Sequence, residues 1–157
     1  MKFENILVTT DLSEESRAAF SAAKSIAQAF NSKVNLLAVI EDPAQAAMMY
    51  ALDYPIIETN DIRSQLMQKV KEDLENLIKE HFEGVNCEPV VRETVLPVYS
   101  EIVKASEDLK ADLLVIATHG KAGLRKLLIG SVAEKVVRHA PCPVLTVPSN
   151  KEDKKGH

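Results

Sequence analysis

The run DLLVIAT, Asp112 to Thr118, leads directly into HGKAGLRKLLIGS, residues 119–131. From Leu113 to Ala117 the side chains are apolar without alternation. A strand wet on one face alternates apolar and polar residues, whereas one buried on both faces does not. The run therefore predicts a central strand of a parallel sheet, with helices above and below. Parallel neighbours need long crossovers, so the rest of the chain should alternate strands with helices.

It does. Downstream, Val132, Val136 and Val137 suit one side of a helix, Pro141 and Pro143 stop it, and VLTV (144–147) reads as a last strand. Upstream, Ile6–Val8 is a short buried strand. Ser13 is placed to cap a helix with Glu14 and Glu15 in its first turn. Ala19, Ala22, Ala23, Ile26 and Phe30 recur at helical spacing until Asn31 and Ser32 close it. Val34–Ile40 is the second strand. Residues 41–62 have no steady period, and their methionines and tyrosines (Met48, Met49, Tyr50, Tyr54) suit a flap or a partly helical excursion. From Ile62 a strong helical face carries Leu66, Val70, Leu74, Leu77, Ile78 and Phe82, with Lys71–Glu75 and Glu75–Lys79 as opposite-charge pairs, before Gly84 ends it. CEPVVRETV (87–95) reads as a third strand, near an edge because of Pro89. Pro97 opens a helix with Ile102, Val103 and Leu109. The fold class expected is a five-stranded parallel, doubly wound α/β sheet with helices on both faces. One domain, 1–148, precedes a disordered polar tail, 149–157.

Composition narrows the function. The net charge of −4 argues against a nucleic-acid surface, and 4% aromatics with no Trp argues against a stacking platform. No apolar run reaches membrane-spanning length and no signal peptide is legible, so the expected location is the cytoplasm. Cys87 and Cys142 form no metal-binding spacing and read as reduced packing residues. His81 and His157 read as exposed, and His139 suits a helix C-terminus.

The loop after DLLVIAT carries the chemistry. It holds Gly120, Gly123 and Gly130, the cations Lys121, Arg125 and Lys126, and no acid. Gly120 lets backbone approach a ligand. Gly130-Ser131 opens a helix whose N–H groups and dipole favour an anion, with Ser131 as both cap and ligand. In such sheets ligands lie beyond the strand ends, here beside Thr9-Thr10-Asp11. Neither common nucleotide fingerprint is present. On residue chemistry alone, a phosphate-binding loop and a plain glycine turn before a capped helix fit equally. His119 beside Asp11 and Ser131 invites a hydrolase triad, but no nucleophile elbow surrounds Ser131.

The stretch resembles the signature of the universal stress protein family, ATP-binding branch: Gly, two residues, Gly, nine residues, Gly, then Ser or Thr. Gly120, the spacer 121–129, Gly130 and Ser131 match, while Ala117 stands at the first glycine. NILVTTDLSEES, VNLLAVIE and the block 111–148 are similar to the family as well, and residues 41–62 show no match. The resemblance implies a nucleotide site: Thr9, Thr10 and Asp11 around the nucleoside, the Val39 backbone at adenine, Ala117 and Gly120 along ribose and phosphates, and Gly130, Ser131 and Val132 donating to phosphate oxygens. Relatives commonly carry proline at the Thr9 position. The implied ligand is ATP, or ADP or AMP, with Mg or Mn held by phosphates and water, no metal ligand from the protein and no catalytic residue. The function so implied is a stress-response regulator that signals by its bound state to a protein partner. The alternatives are a slow ATPase using the same pocket and an interaction protein with a vestigial one. A homodimer through the strand of Val144, Leu145 and Val147 is expected, because that strand lies at a sheet edge.

Overall fold

Five parallel strands pair through β1 (Asn5–Thr9), β2 (Lys33–Glu41), β3 (Asn86–Thr94), β4 (Leu113–Ala117) and β5 (Val144–Val147), in the spatial order β3-β2-β1-β4-β5. The structure is a computed structural model that describes residues 1–42, 44–45, 48, 52, 59–120 and 129–149. Among the described residues, four helices connect the strands: α1 (Ala18–Phe30), α2 (Thr59–His81), α3 (Val98–Asp108) and α4 (Ser131–His139). The doubly wound sheet expected from DLLVIAT is present, and β4 is buried at every position.

Alternation along the strands divides the core in two. Ile6, Val8, Leu36, Ala38, Leu113 and Val115 face α1 and α2. Leu7, Leu37, Leu114 and Ile116 face α3 and α4. Ala19, Ala23 and Ala27 give α1 a small-residue stripe that lets it lie close to the sheet. Phe20 fills the space toward α2, with its ring 5.4 Å from that of Phe82. Asn31 ends α1 in the left-handed conformation (φ 54°), as the sequence suggests.

Several local expectations are corrected. Ser13 does not cap α1: a 3-10 turn, Glu15–Arg17, intervenes, and the Ser13 hydroxyl accepts the Ser16 N–H at 3.3 Å. Among the described residues the i,i+4 ion pair along α2 is Lys69–Asp73 at 3.0 Å, and no such bridge joins Lys71 to Glu75 or Glu75 to Lys79. His81 is half-buried with its ring edge-on to Phe20 at 5.3 Å, because the end of α2 folds over α1. On α4 the buried residues are Ala133 and Val136, while Val132 and Val137 are exposed. Of the expected flap, Met48 is exposed, and Met49, Tyr50 and Tyr54 lie outside the described residues. The expected tail begins differently, for Ser149 is hydrogen-bonded to Thr118 and His119; residues 150–157, His157 included, lie outside the described residues.

Both thiols behave as packing groups. Burial pushes Cys87 up to about 12, and burial followed by the Asp112 charge raises Cys142. No helix among the described residues is long and apolar enough to cross a membrane.

Candidate functional site

The strand order reverses at β1. The chain moves from β1 outward to β2 and β3, then returns to place β4 on β1's other side. The helix after β1 packs on one face, and the helix after β4 packs on the other. Their connections therefore part above the carboxyl ends of β1 and β4 and leave a crevice between them. Thr9-Thr10-Asp11 forms one lip and Thr118-His119-Gly120 the other.

The first lip is held by its own hydroxyls. Thr10 N–H continues the ladder to Leu37 O at 2.9 Å. Thr10 Oγ1 lies 2.7 Å from Ser16 Oγ and accepts the Leu12 N–H at 3.0 Å. Thr10 is thus a frame residue turned toward α1, and alternation turns the buried Thr9 toward the opposite face. Leu12 adopts φ 68°, a left-handed turn that lifts Asp11 out of the strand line. Asp11 Oδ1 accepts the Ser13 N–H at 3.0 Å and also a short bond from the Ser13 hydroxyl. These bonds fix the carboxylate over the crevice.

Gly120 meets that carboxylate. A Cβ at Gly120 would fall 2.2 Å from Asp11 Oδ2, so a side chain there would require the Asp11 carboxylate or the loop to move. Ala117 behaves otherwise. Its methyl is buried in the core layer that faces α1, so the extra carbon at the signature's first position is taken up by packing.

Val39 lies two residues beyond Leu37, the last β2 residue paired with β1. The Leu37 carbonyl faces β1, and the period of two turns the Val39 peptide groups the same way, past the point where β1 has left the sheet. They point to the side that β1 has vacated.

Gly130 is the N-cap of α4, which corrects the expected cap at Ser131. It has extended backbone, and its carbonyl accepts the Glu134 N–H at 2.9 Å. Ser131 is the first helical residue and is exposed. The Gly130 N–H donates to Thr118 O at 2.6 Å, which closes the base of the loop. A Cβ on Gly130 would fall 2.7 Å from that same oxygen. The donors with no intrahelical acceptor are therefore the N–H groups of Ser131, Val132 and Ala133. They carry the positive end of the α4 dipole, tempered by Glu134 in the first turn. Lys121, Gly123, Arg125 and Lys126 lie outside the described residues.

Two residues that sequence reasoning passed over complete the second lip. Thr118 Oγ1 lies 3.0 Å from His119 Nδ1, and Ser149 bonds the His119 backbone. His119 is thereby a braced loop residue. Among the described residues, no cluster of His, Cys, Asp or Glu is arranged to hold a metal ion. A separate open groove lies between α2 and the β3 edge, lined by Arg63, Met67, Lys71, Pro89, Val91 and Glu93. It is on the outer side of β3, away from the crevice.

A doubly wound parallel sheet with paired loops at its switch point defines a Rossmann-like α/β protein. The sequence model of the universal stress protein family matches residues 2–148. Universal stress protein MJ0531 of Methanocaldococcus jannaschii is 32% identical over 154 residues, which cover 96% of this chain and 85% of the relative. Universal stress protein MJ0577 of the same organism is 30% identical, covering 92% of this chain and 94% of the relative. The solved structure of MJ0577 matches with a TM-score of 0.77 at 28% identity, covering 96% of this chain and 99% of that one. An Arabidopsis thaliana protein of the family, solved with AMP bound, shares the fold with a TM-score of 0.62 at 21% identity, covering 98% and 96% of the two chains. The chain belongs to the universal stress protein family.

Proposed function

We propose that the protein binds an adenine nucleotide in the crevice between the β1 and β4 loops and acts as a regulator whose bound state is read by a protein partner. Residues 1–148 act as one unit in this reading. The observation that carries it is the meeting of Gly120 with Asp11 beside a helix start whose Ser131, Val132 and Ala133 N–H groups have no intrahelical acceptor. Asp11 would accept from a ribose hydroxyl, the Val39 peptide groups would pair with the adenine edge, and the α4 donors would take phosphate oxygens. Mg or Mn would sit on phosphates and water. Three solved relatives of the fold hold adenine nucleotides: AMP in the Arabidopsis protein, dAMP in that of Archaeoglobus fulgidus and cAMP in a third. ATP, ADP and AMP remain the ligands to compare, and calorimetry with each tests the reading.

Turnover should be slow or absent. A hydrolase needs a base poised on water or an activated nucleophile, and no nucleophile elbow surrounds Ser131. Phosphate release at about 1 per second or faster, abolished by Asp11→Asn, would make the protein an enzyme.

A homodimer through β5 completes the proposal. The outer rim of β5 belongs to Val144 and Thr146, because the carbonyls of Pro143 and Val147 accept from Leu114 and Thr118 and so face β4. That unpaired rim and the exposed Val137 of α4 offer a two-fold surface to a second copy.

A further inference from the structure

Past the end of β4 the chain leaves the sheet, and its peptide groups need partners from elsewhere. Thr118 still finds one, donating its N–H to Val147 O at 2.9 Å. The His119 backbone turns to the side chain of Ser149. Its N–H donates to Ser149 Oγ at 3.2 Å, and the Ser149 hydroxyl donates to His119 O at 3.1 Å. A hydroxyl has one proton and two lone pairs, so it can serve both groups at once. The Ser149 N–H meanwhile donates to Thr118 Oγ1 at 3.1 Å, the same oxygen that lies 3.0 Å from His119 Nδ1. These bonds join the exit of β5 to the residue that precedes Gly120.

We propose that Ser149 is a positioning residue of the nucleotide crevice: it fixes the His119 backbone and thereby holds Gly120 against Asp11. The proposal rests on the adenine-nucleotide reading above. The tolerance at that contact is small, because even a methyl at Gly120 would overlap Asp11 Oδ2. A binding constellation works only when its parts are held to within about 0.5 Å. Ser149 does this from outside the cleft, two residues beyond the end of β5. Removing its hydroxyl leaves the β4–β5 ladder and both core layers intact, so the effect should fall on affinity rather than on folding.

The test compares Ser149→Ala, Ser149→Thr and a control, Ser32→Ala. Ser32 is buried, and its hydroxyl donates to Phe3 O before β1, at the opposite end of the sheet. Calorimetry with ATP and with AMP gives affinity, and amide hydrogen exchange gives the state of the His119 N–H. Ser149→Ala should weaken binding about 5- to 30-fold, as expected for losing two ordinary hydrogen bonds, and should speed exchange at His119. Ser149→Thr keeps the hydroxyl and should stay within about threefold of the parent. Ser32→Ala should leave both readouts unchanged. Parental affinity in Ser149→Ala, or equal weakening in Ser32→Ala, would overturn the proposal. If the parent binds no adenine nucleotide, the nucleotide reading itself fails, and the role of Ser149 in binding fails with it. Exchange at His119 then separates a purely structural brace, where it quickens in Ser149→Ala, from no brace at all.

Discussion

Gly120 lies against Asp11 so closely that a β-carbon would sit 2.2 Å from the carboxylate oxygen Oδ2. Asp11 cannot yield freely, since Oδ1 is held by the N–H and the hydroxyl of Ser13. Gly120→Val should therefore push the β4 loop out of register. Forced overpacking costs roughly 1–3 kcal/mol, and the loop, lying beyond the strand, should take up most of that strain. The expected outcome is a loss of nucleotide affinity of tenfold or more, on the order of that energy, with a cooperative melt retained. Parental affinity by calorimetry would mean that the two lips do not form the site.

Ser131→Ala should be milder. Ser131 is exposed at the first helical position, and Gly130 is the cap, so its hydroxyl is not needed to start α4. Stability should change by no more than about 0.5 kcal/mol. Affinity should fall by at most one charge-assisted hydrogen bond, roughly 1.5–3 kcal/mol, because the helix N–H donors remain. Thermal melts and calorimetry on one preparation check both halves.

The β5 rim gives a test of assembly. Thr146 turns its N–H away from β4, whereas the Leu145 N–H faces β4 within the ladder. Thr146→Pro should remove an outward donor and shift light scattering from dimer to monomer while sparing the sheet. Leu145→Pro would damage the protomer itself and is the poorer test. A parent that stays monomeric across micromolar concentrations would refute the dimer, and a dimer unchanged in Thr146→Pro would move the interface elsewhere.

At the other edge, the Arg63 side chain donates to both carboxylate oxygens of Glu93, with Nε to Oε1 at 3.0 Å. The hydrogen bond to Arg63, aided by its charge and opposed by burial, holds the Glu93 carboxyl below the usual carboxylate range. Its contribution to stability is therefore complete above the unfolded value of about 4.3 and is lost as pH falls through the lower, folded value. Arg63→Gln should shrink the drop in urea midpoint between about pH 6 and about pH 3. An equal drop in parent and variant would show that the pair adds nothing.

The fold was legible because its signals are periodic. The unbroken apolar run Leu113–Ala117 could only be a strand covered on both faces, and the long face from Ile62 to Phe82 could only be a helix on a core. The site was legible in part. Gly120 and Asp11, distant in sequence, were both singled out, because each lies in a polar connection past the carboxyl end of a strand, where such sheets bind ligands, and because Gly120 matches the family signature. Thr118 and Ser149 were missed. Their role is a mutual hydrogen-bond arrangement between residues 30 or more apart, with no period and no motif to mark it. The α4 cap was misplaced by one residue because serine is the common cap. Here Gly130 must be bare to approach the Thr118 carbonyl, and the cap falls to it. The valines of α4 were read as lying along one side of the helix, and the space under it takes Ala133 and Val136 and leaves Val132 and Val137 outside.

The most direct measurement is calorimetric titration of the purified protein, first freed of any bound ligand, with ATP, ADP and AMP, in parallel with Gly120→Val. The account predicts saturable binding of at least one of the three by the parent, weakened by tenfold or more, as an order of magnitude, in the variant. No heat and no thermal shift with any adenine nucleotide at millimolar concentration would contradict it.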